Sequence, residues 1–209
     1  MKNLIFIITL CIATSVVAQK RISQTYSIEG ISELFINSNE IFKITISATD
    51  TDIITVDTII DGETFASTLL NTSTKDSILK ITTGKTPDYI PFNDKLSAHK
   101  VIAIELEITI PKDLNLSIYS TLAAVKTKGQ LGLVHIDLGR GYFIGEEFHF
   151  RESAIINTLS GDINIFSNDK ALVTAQSRSG DVVIPKDFIY GNPLKLQSIS
   201  GDITINKSR

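Results

Sequence analysis

The sequence predicts an all-β protein folded as a β-solenoid, a stack of coils about 20 residues long. Three observations carry that prediction. Apolar residues recur at every second position along most of the chain, a Ser-Gly-Asp turn returns three times near the C-terminal end, and aligning those turns produces continuous apolar columns.

The N-terminal segment is set aside before any fold reasoning. Lys2 precedes the apolar run Leu4 to Ile12, and Ala13-Thr-Ser-Val-Val-Ala18 follows, which is the layout of a secretory signal peptide. Val16 and Ala18 are small enough for the recognition positions of a signal peptidase, so residues 1–18 are expected to be removed between Ala18 and Gln19. The run is shorter than the roughly 20 apolar residues that span a bilayer, so no transmembrane anchor is expected after cleavage. Ile8-Thr-Leu-Cys11 loosely imitates a lipobox, but the apolar region continues beyond Cys11 instead of closing there.

Loss of the leader removes the only cysteine, leaving no disulfide, thiol nucleophile or thiolate ligand in residues 19–209. It also removes Lys2, so 19 basic residues face 23 acidic ones and the net charge becomes -4. That mild acidity speaks against nucleic acid or an anionic membrane as partner. Residues 19–209 carry no second apolar span, low-complexity tail or Pro/Gly/Ser linker and are expected to form a single domain.

Strands follow from the alternation. Leu34-Phe-Ile36, Ile44-Thr-Ile46, Ile78-Leu-Lys-Ile81 and Ile102-Ala-Ile-Glu-Leu-Glu-Ile-Thr-Ile110 each keep the period of a half-buried strand. The segment from Glu63 to Leu70 reads as strand or loop, since its Thr and Ser content is unsuited to a helix.

The repeat gives the architecture. Ser160-Gly161-Asp162, Ser179-Gly180-Asp181 and Ser200-Gly201-Asp202 are spaced by 19 and 21 residues, and each precedes an alternating strand. Further back, Arg140-Gly141-Tyr142 and Ser120-Thr121-Leu122 occupy the corresponding places, giving five coils, clearest over 112–205. Aligned on the turn, Leu114, Val134, Ala154, Val173 and Leu194 form one column and Leu116, Ile136, Ile156, Ala175 and Leu196 a second. Beyond the turn, Ala123, Phe143, Ile163, Val182 and Ile203 form a third, and Val125, Gly145, Ile165, Ile184 and Ile205 a fourth. Intervening positions such as Ser117, Asp137, Asn157, Gln176 and Gln197 are polar and are expected outside. Glycine suits a bend through positive φ or close backbone approach, and Ser and Asp bond to local backbone groups. A sharper reading makes Asp162, Asp181 and Asp202 a calcium-binding carboxylate column. Two of the five coils lack the aspartate, so the expectation is a structural turn without metal or other cofactor.

These turns, together with Val101 to Ile110 and the following Pro111-Lys-Asp-Leu-Asn-Leu116, resemble the bacterial putative adhesin domains of unknown function, related to the auto-transporter adhesin head domain. The resemblance runs from about Tyr26 to Ile205 and is most specific in 157–205. It implies a right-handed β-helix-like fold in a cell-surface, secreted or periplasmic protein, and it brings no catalytic residues.

Catalytic patterns are absent from the sequence. His99, His135 and His149 show no metal-ligand spacing, and no nucleophile elbow, phosphate loop or dinucleotide fingerprint occurs. The alternative function is a carbohydrate-active β-helix enzyme, a polysaccharide lyase or hydrolase, with Glu105 and Glu107, or Asp137 with Glu146 and Glu147, as its paired carboxylates. One long segment, 84–100, places Tyr89 and Phe92 among Lys85 and Lys95, which suits either contact with a glycan or envelope protein or the covering of a sheet edge. Phe143, Phe148 and Phe150 with Tyr142 make a second aromatic group. The expected function is therefore that of an exported, non-catalytic envelope protein, an adhesin-like binding or structural module.

Overall fold

A computed structural model describes residues 19–62, 68–87 and 102–208, and among these there is no helix. Its strands are β1 (Gln19–Ser27), β2 (Glu33–Asn37), β3 (Ile41–Thr49), β4 (Ile53–Gly62), β5 (Thr68–Lys75), β6 (Ile78–Lys85), β7 (Ile102–Pro111), β8 (Asn115–Ser120) and β9 (Ala124–Leu131). The repeat region continues with β10 (Val134–Leu138), β11 (Phe143–Phe150), β12 (Ala154–Thr158), β13 (Ile163–Phe166), β14 (Ala171–Ser177), β15 (Val182–Val183), β16 (Asn192–Ser198) and β17 (Ile203–Asn206).

They form two mixed, open sheets. One has nine strands in the order β1-β4-β7-β3-β9-β11-β13-β17-β15, the other eight in the order β14-β16-β12-β10-β8-β2-β6-β5. From β8 to β17 the chain alternates between the sheets, so each successive strand pair places one strand in each. Within this region every strand-to-strand pairing is parallel, with one isolated antiparallel bridge between Leu172 and Ile189; antiparallel strand pairs are those among β1, β4 and β7 in one sheet and β5 and β6 in the other. Inward side chains of both sheets meet in one apolar core, which includes Leu34, Ile36, Ile44, Ile136, Ile156, Phe143, Ile163 and Ile203.

The order of the strand pairs differs from their order in sequence. β16 and β17 lie between β12/β13 and β14/β15, so the unit carrying Ser200-Gly201-Asp202 is inserted between the other two Ser-Gly-Asp units. The N-terminal pair β2/β3 continues the same arrangement, with β8/β9 on one side and β6/β7 on the other.

Registers match the aligned columns for all units after Leu131 and correct them before it. Val134 pairs with Ala154, Ala154 with Leu194 and Val173 with Leu194. In the earliest unit, however, Val134 pairs with Leu116 instead of Leu114, and Phe143 with Val125 instead of Ala123. The slip of two residues preserves the side-chain face, because strand periodicity is two. It makes Ala123, not Thr121, the counterpart of Gly141, whose added Cβ would collide with the Ala123 carbonyl.

Gly145 occupies a core column without a side chain because Phe148 fills the space. A bulge at Glu147 (φ 44°) turns Phe148 inward, where its ring meets Phe143 edge-on at 5.6 Å. Phe150 is partly buried beside it, whereas Tyr142 is exposed on the other face of its strand, so these aromatics do not form one surface group.

Candidate functional site

The repeated turns lie where the chain passes from the eight-stranded to the nine-stranded sheet. None of Gly141, Gly161, Gly180 and Gly201 has a positive φ; what demands glycine is close approach. A Cβ on Gly161 would overlap the Gly141 carbonyl, one on Gly201 that of Gly161, and one on Gly180 that of Gly201. The turn hydroxyl that faces the glycine stands three places before it. Ser198 and Ser177 accept the amide protons of Gly201 (2.8 Å) and Gly180 (2.9 Å), while Thr158 donates to the Gly161 carbonyl (2.6 Å). The repeating unit is thus Ser/Thr-x-Ser-Gly-Asp, a pattern visible in the sequence but truncated when read as Ser-Gly-Asp. Ser160, Ser179 and Ser200 are exposed.

The aspartates line up in the order Asp162, Asp202, Asp181. Asp162 Oδ1 accepts the amide proton of Asp202 (2.9 Å), and Asp202 Oδ1 accepts that of Asp181 (2.8 Å). Among the described residues no group of three His, Cys, Asp or Glu side chains is placed to hold a metal ion.

A more eventful surface is the outer face of the eight-stranded sheet. Across its strands the paired residues form the row Asn37, Tyr119, Asp137, Asn157, Gln197, Gln176, running from β2 to β14. Four of these were legible as an outward polar column; Tyr119 takes the place expected for Ser117 because of the two-residue slip in β8. The slip therefore puts an aromatic ring into a row of amides.

Tyr119 lies between Phe35, 5.4 Å away, and His135, 5.5 Å away, and the Lys80 ammonium stands 5.4 Å from the Phe35 ring centre. Partial burial, with the carboxylates of Asp137 and Glu33 adding to it, pushes the Tyr119 phenol above its ordinary value, so it remains a hydrogen-bond donor at neutral pH. Asp137 is shared between His135 Nε2 (3.0 Å) and the Asn157 amide nitrogen (2.5 Å). Asn157 Oδ1 is buried without a hydrogen-bond partner among the described residues. Such an acceptor costs free energy until a donor reaches it.

Two shallow cavities adjoin along this row. One of about 400 Å³ lies over Asn37, Tyr119, Asp137 and Asn157, and one of about 340 Å³ over Asn157, Gln197, Gln176 and Arg178. Leu159, 57% exposed, borders both, so together they make a groove lined mostly by polar residues whose exposed surface is largely apolar.

The other site residues are dispersed. Lys85 donates to Thr68 Oγ1 (3.1 Å) and pairs with Glu40 (3.4 Å); Tyr89, Phe92 and Lys95 lie outside the described residues, as does His99. His149 contacts Asp169 at 2.6 Å, on the opposite sheet from His135. Asp137 is in the eight-stranded sheet, whereas Glu146 and Glu147 are in the nine-stranded one and pair with Lys126 and Lys128, so they form no carboxylate pair with it. Glu105 is bound to Lys43 at 2.9 Å, which raises the Lys43 pKa chiefly through that hydrogen bond.

No protein-family model matches the chain, and no curated protein matches it. Solved structures do. A putative cell adhesion protein from Clostridium sporogenes ATCC 15579 superposes with a TM-score of 0.62 at 15% identity, covering 91% of this chain and 100% of that one. The two share a fold. A putative adhesin from Bacteroides fragilis NCTC 9343 aligns over 90% of this chain and 97% of its own, with a TM-score of 0.47 and 14% identity.

Proposed function

We propose that this protein is an exported, non-catalytic, adhesin-like module of the bacterial cell envelope, and that it binds its partner with the outer face of the eight-stranded sheet. The observation that carries the reading is the groove along Tyr119, Asp137, Asn157 and Gln197, which is lined by polar and aromatic side chains, presents a largely apolar surface and is not covered by any described segment. The fold shared with a putative cell adhesion protein supports the adhesin class, and the leader 1–18 supports export, with the chain beginning at Gln19 in the periplasm, at the surface or outside the cell. The parallel, alternating strand pairs support a β-solenoid as the architecture of the repeat region.

The test is retention on intact bacterial cells and isolated envelopes. Wild-type protein is expected to sediment with them, and the double variant Tyr119→Ala/Asn157→Ala to remain in the supernatant with an unchanged melting temperature. Retention of the double variant would place the binding surface elsewhere. Mass spectrometry of protein recovered from its host is expected to show Gln19 as the first residue; an acylated Cys11 would instead make it a lipoprotein.

A further inference from the structure

We propose that the groove takes a neutral, extended polysaccharide laid across the strands, with successive sugars over Asn37, Tyr119, Asp137, Asn157, Gln197 and Gln176. The inference rests on the binding-module reading above and adds the chemistry of the ligand.

Spacing is the first argument. Parallel neighbours place equivalent side chains about 4.8 Å apart. This is slightly shorter than the advance of one hexose in an extended 1,4-linked chain, whose alternate sugars face opposite ways. The row crosses six strands, β2, β8, β10, β12, β16 and β14, so a short run of sugars can follow it along the groove with every second strand meeting the same sugar face. An extended peptide advances about 3.3 Å per residue and would fall out of step. Peptides that add to a sheet do so at an edge, and this groove lies on a face.

Chemistry is the second argument. Asn37, Asn157, Gln197 and Gln176 each carry both donors and an acceptor, matching sugar hydroxyls, which also do both. The amides of Asn37, Gln197 and Gln176 are exposed to a ligand, whereas Asn157, its nitrogen committed to Asp137 and its oxygen closed to solvent with no hydrogen-bond partner among the described residues, meets one fully only if its side chain turns outward. The Tyr119 ring and the Leu159 side chain offer apolar surface to the C–H faces of the sugars.

Charge is the third. Along the row itself the acidic floor group is Asp137, which is held by His135 and Asn157, and two cations flank the row, Arg178 at the far end and the exposed Lys195 two residues before Gln197 on β16. A uronic acid or sulfated chain would meet the Asp137 carboxylate, and these two cations do not repeat along the row to offset a charge on every sugar. The arrangement favours a neutral chain over a polyanion.

The experiment is calorimetric titration of the purified full-length protein with neutral β-1,4-linked gluco- and manno-oligosaccharides, from disaccharide to octasaccharide, with polygalacturonate and an extended polar peptide as comparisons. Affinity is expected to rise with length up to the hexasaccharide and then level off. Tyr119→Ala and Asn157→Ala should each weaken hexasaccharide binding by about tenfold, the scale of one lost hydrogen bond or stacking contact. Gln176→Ala should weaken the hexasaccharide while leaving the shorter ligands bound over Tyr119 unaffected.

Absence of binding in both neutral series, or affinity that does not grow with length, overturns the inference. Tighter binding of polygalacturonate or of the peptide, lost in Tyr119→Ala, also overturns it while leaving the groove as the binding surface. If cells still retain the Tyr119→Ala/Asn157→Ala double variant, the binding-surface reading falls as well.

Discussion

The units 192–206 and 171–184 carry near-copies of one motif, Ser198-Ile-Ser-Gly-Asp202 and Ser177-Arg-Ser-Gly-Asp181, yet they live in different environments. The first is enclosed between β12/β13 and β14/β15, and its column residues Leu194, Leu196, Ile203 and Ile205 are buried. The second forms the edge of both sheets, where Val182 is 40% exposed and Val173, Ala175 and Ile184 are only partly buried. Similar local sequence therefore gives the same turn but not the same stabilisation, because apolar burial depends on having a neighbour on each side. What distinguishes the units is their place in the order of pairing.

The largest effect is expected from truncating paired core positions. Ile203 and Val182 face each other in register, Ile203 fully buried and Val182 not. Ile203→Ala should cost about 2 to 5 kcal/mol, the range for an enclosed aliphatic side chain. Val182→Ala should cost less than about 1 kcal/mol, as surface substitutions do. Urea unfolding of the two variants checks the ratio. Comparable losses would mean that the edge is covered in solution.

A smaller difference is expected between the turn glycines. Gly201→Val drives a side chain at the Gly161 carbonyl inside an enclosed unit, so neither neighbour can retreat. The cost should be about 1 to 3 kcal/mol, the usual scale for overpacking. Gly180→Val meets the Gly201 carbonyl in the same way, but the edge unit can move outward and relieve much of the overlap. Its melting temperature should fall less than that of Gly201→Val. Equal falls would show the edge to be as rigid as the interior.

This contrast also marks what was legible in the sequence. Alternation and the Ser-Gly-Asp spacing revealed the strands, the turns and the inward columns of units two to five, since each depends only on local period and a repeated bend. The insertion of β16/β17 before β14/β15 was hidden, because near-identical units offer near-identical pairing surfaces and the route depends on the connections 167–170 and 184–191. The groove was half visible. Asp137, Asn157, Gln176 and Gln197 stood out as an outward column, but Tyr119 was missed because the earliest unit lacks the turn glycine that would have anchored its register. Phe35 and Asn37 were missed since β2 joins the row through pairing with β8, a contact between segments some eighty residues apart.

The smallest expected effect concerns the aspartates, and it separates a structural column from a metal site. Asp202 accepts the amide proton of Asp181, whereas Asp181 leads into the edge strand β15, beyond which no further unit lies among the described residues. Asp202→Ala should therefore cost about 0.5 to 1 kcal/mol, the low end for an exposed hydrogen bond, and Asp181→Ala less. Calcium makes a different demand. A bound ion adds RT ln(1 + [L]/Kd), about 2.7 kcal/mol at one hundred times its dissociation constant. For a chain of this size that corresponds to a rise of several degrees in melting temperature. With one oxygen of both Asp162 and Asp202 already accepting a backbone proton, millimolar Ca²⁺ and EDTA should give superimposable melting curves. A calcium-dependent rise abolished by Asp181→Asn would show that the edge unit gains from an ion the stability that the enclosed unit obtains from its neighbours.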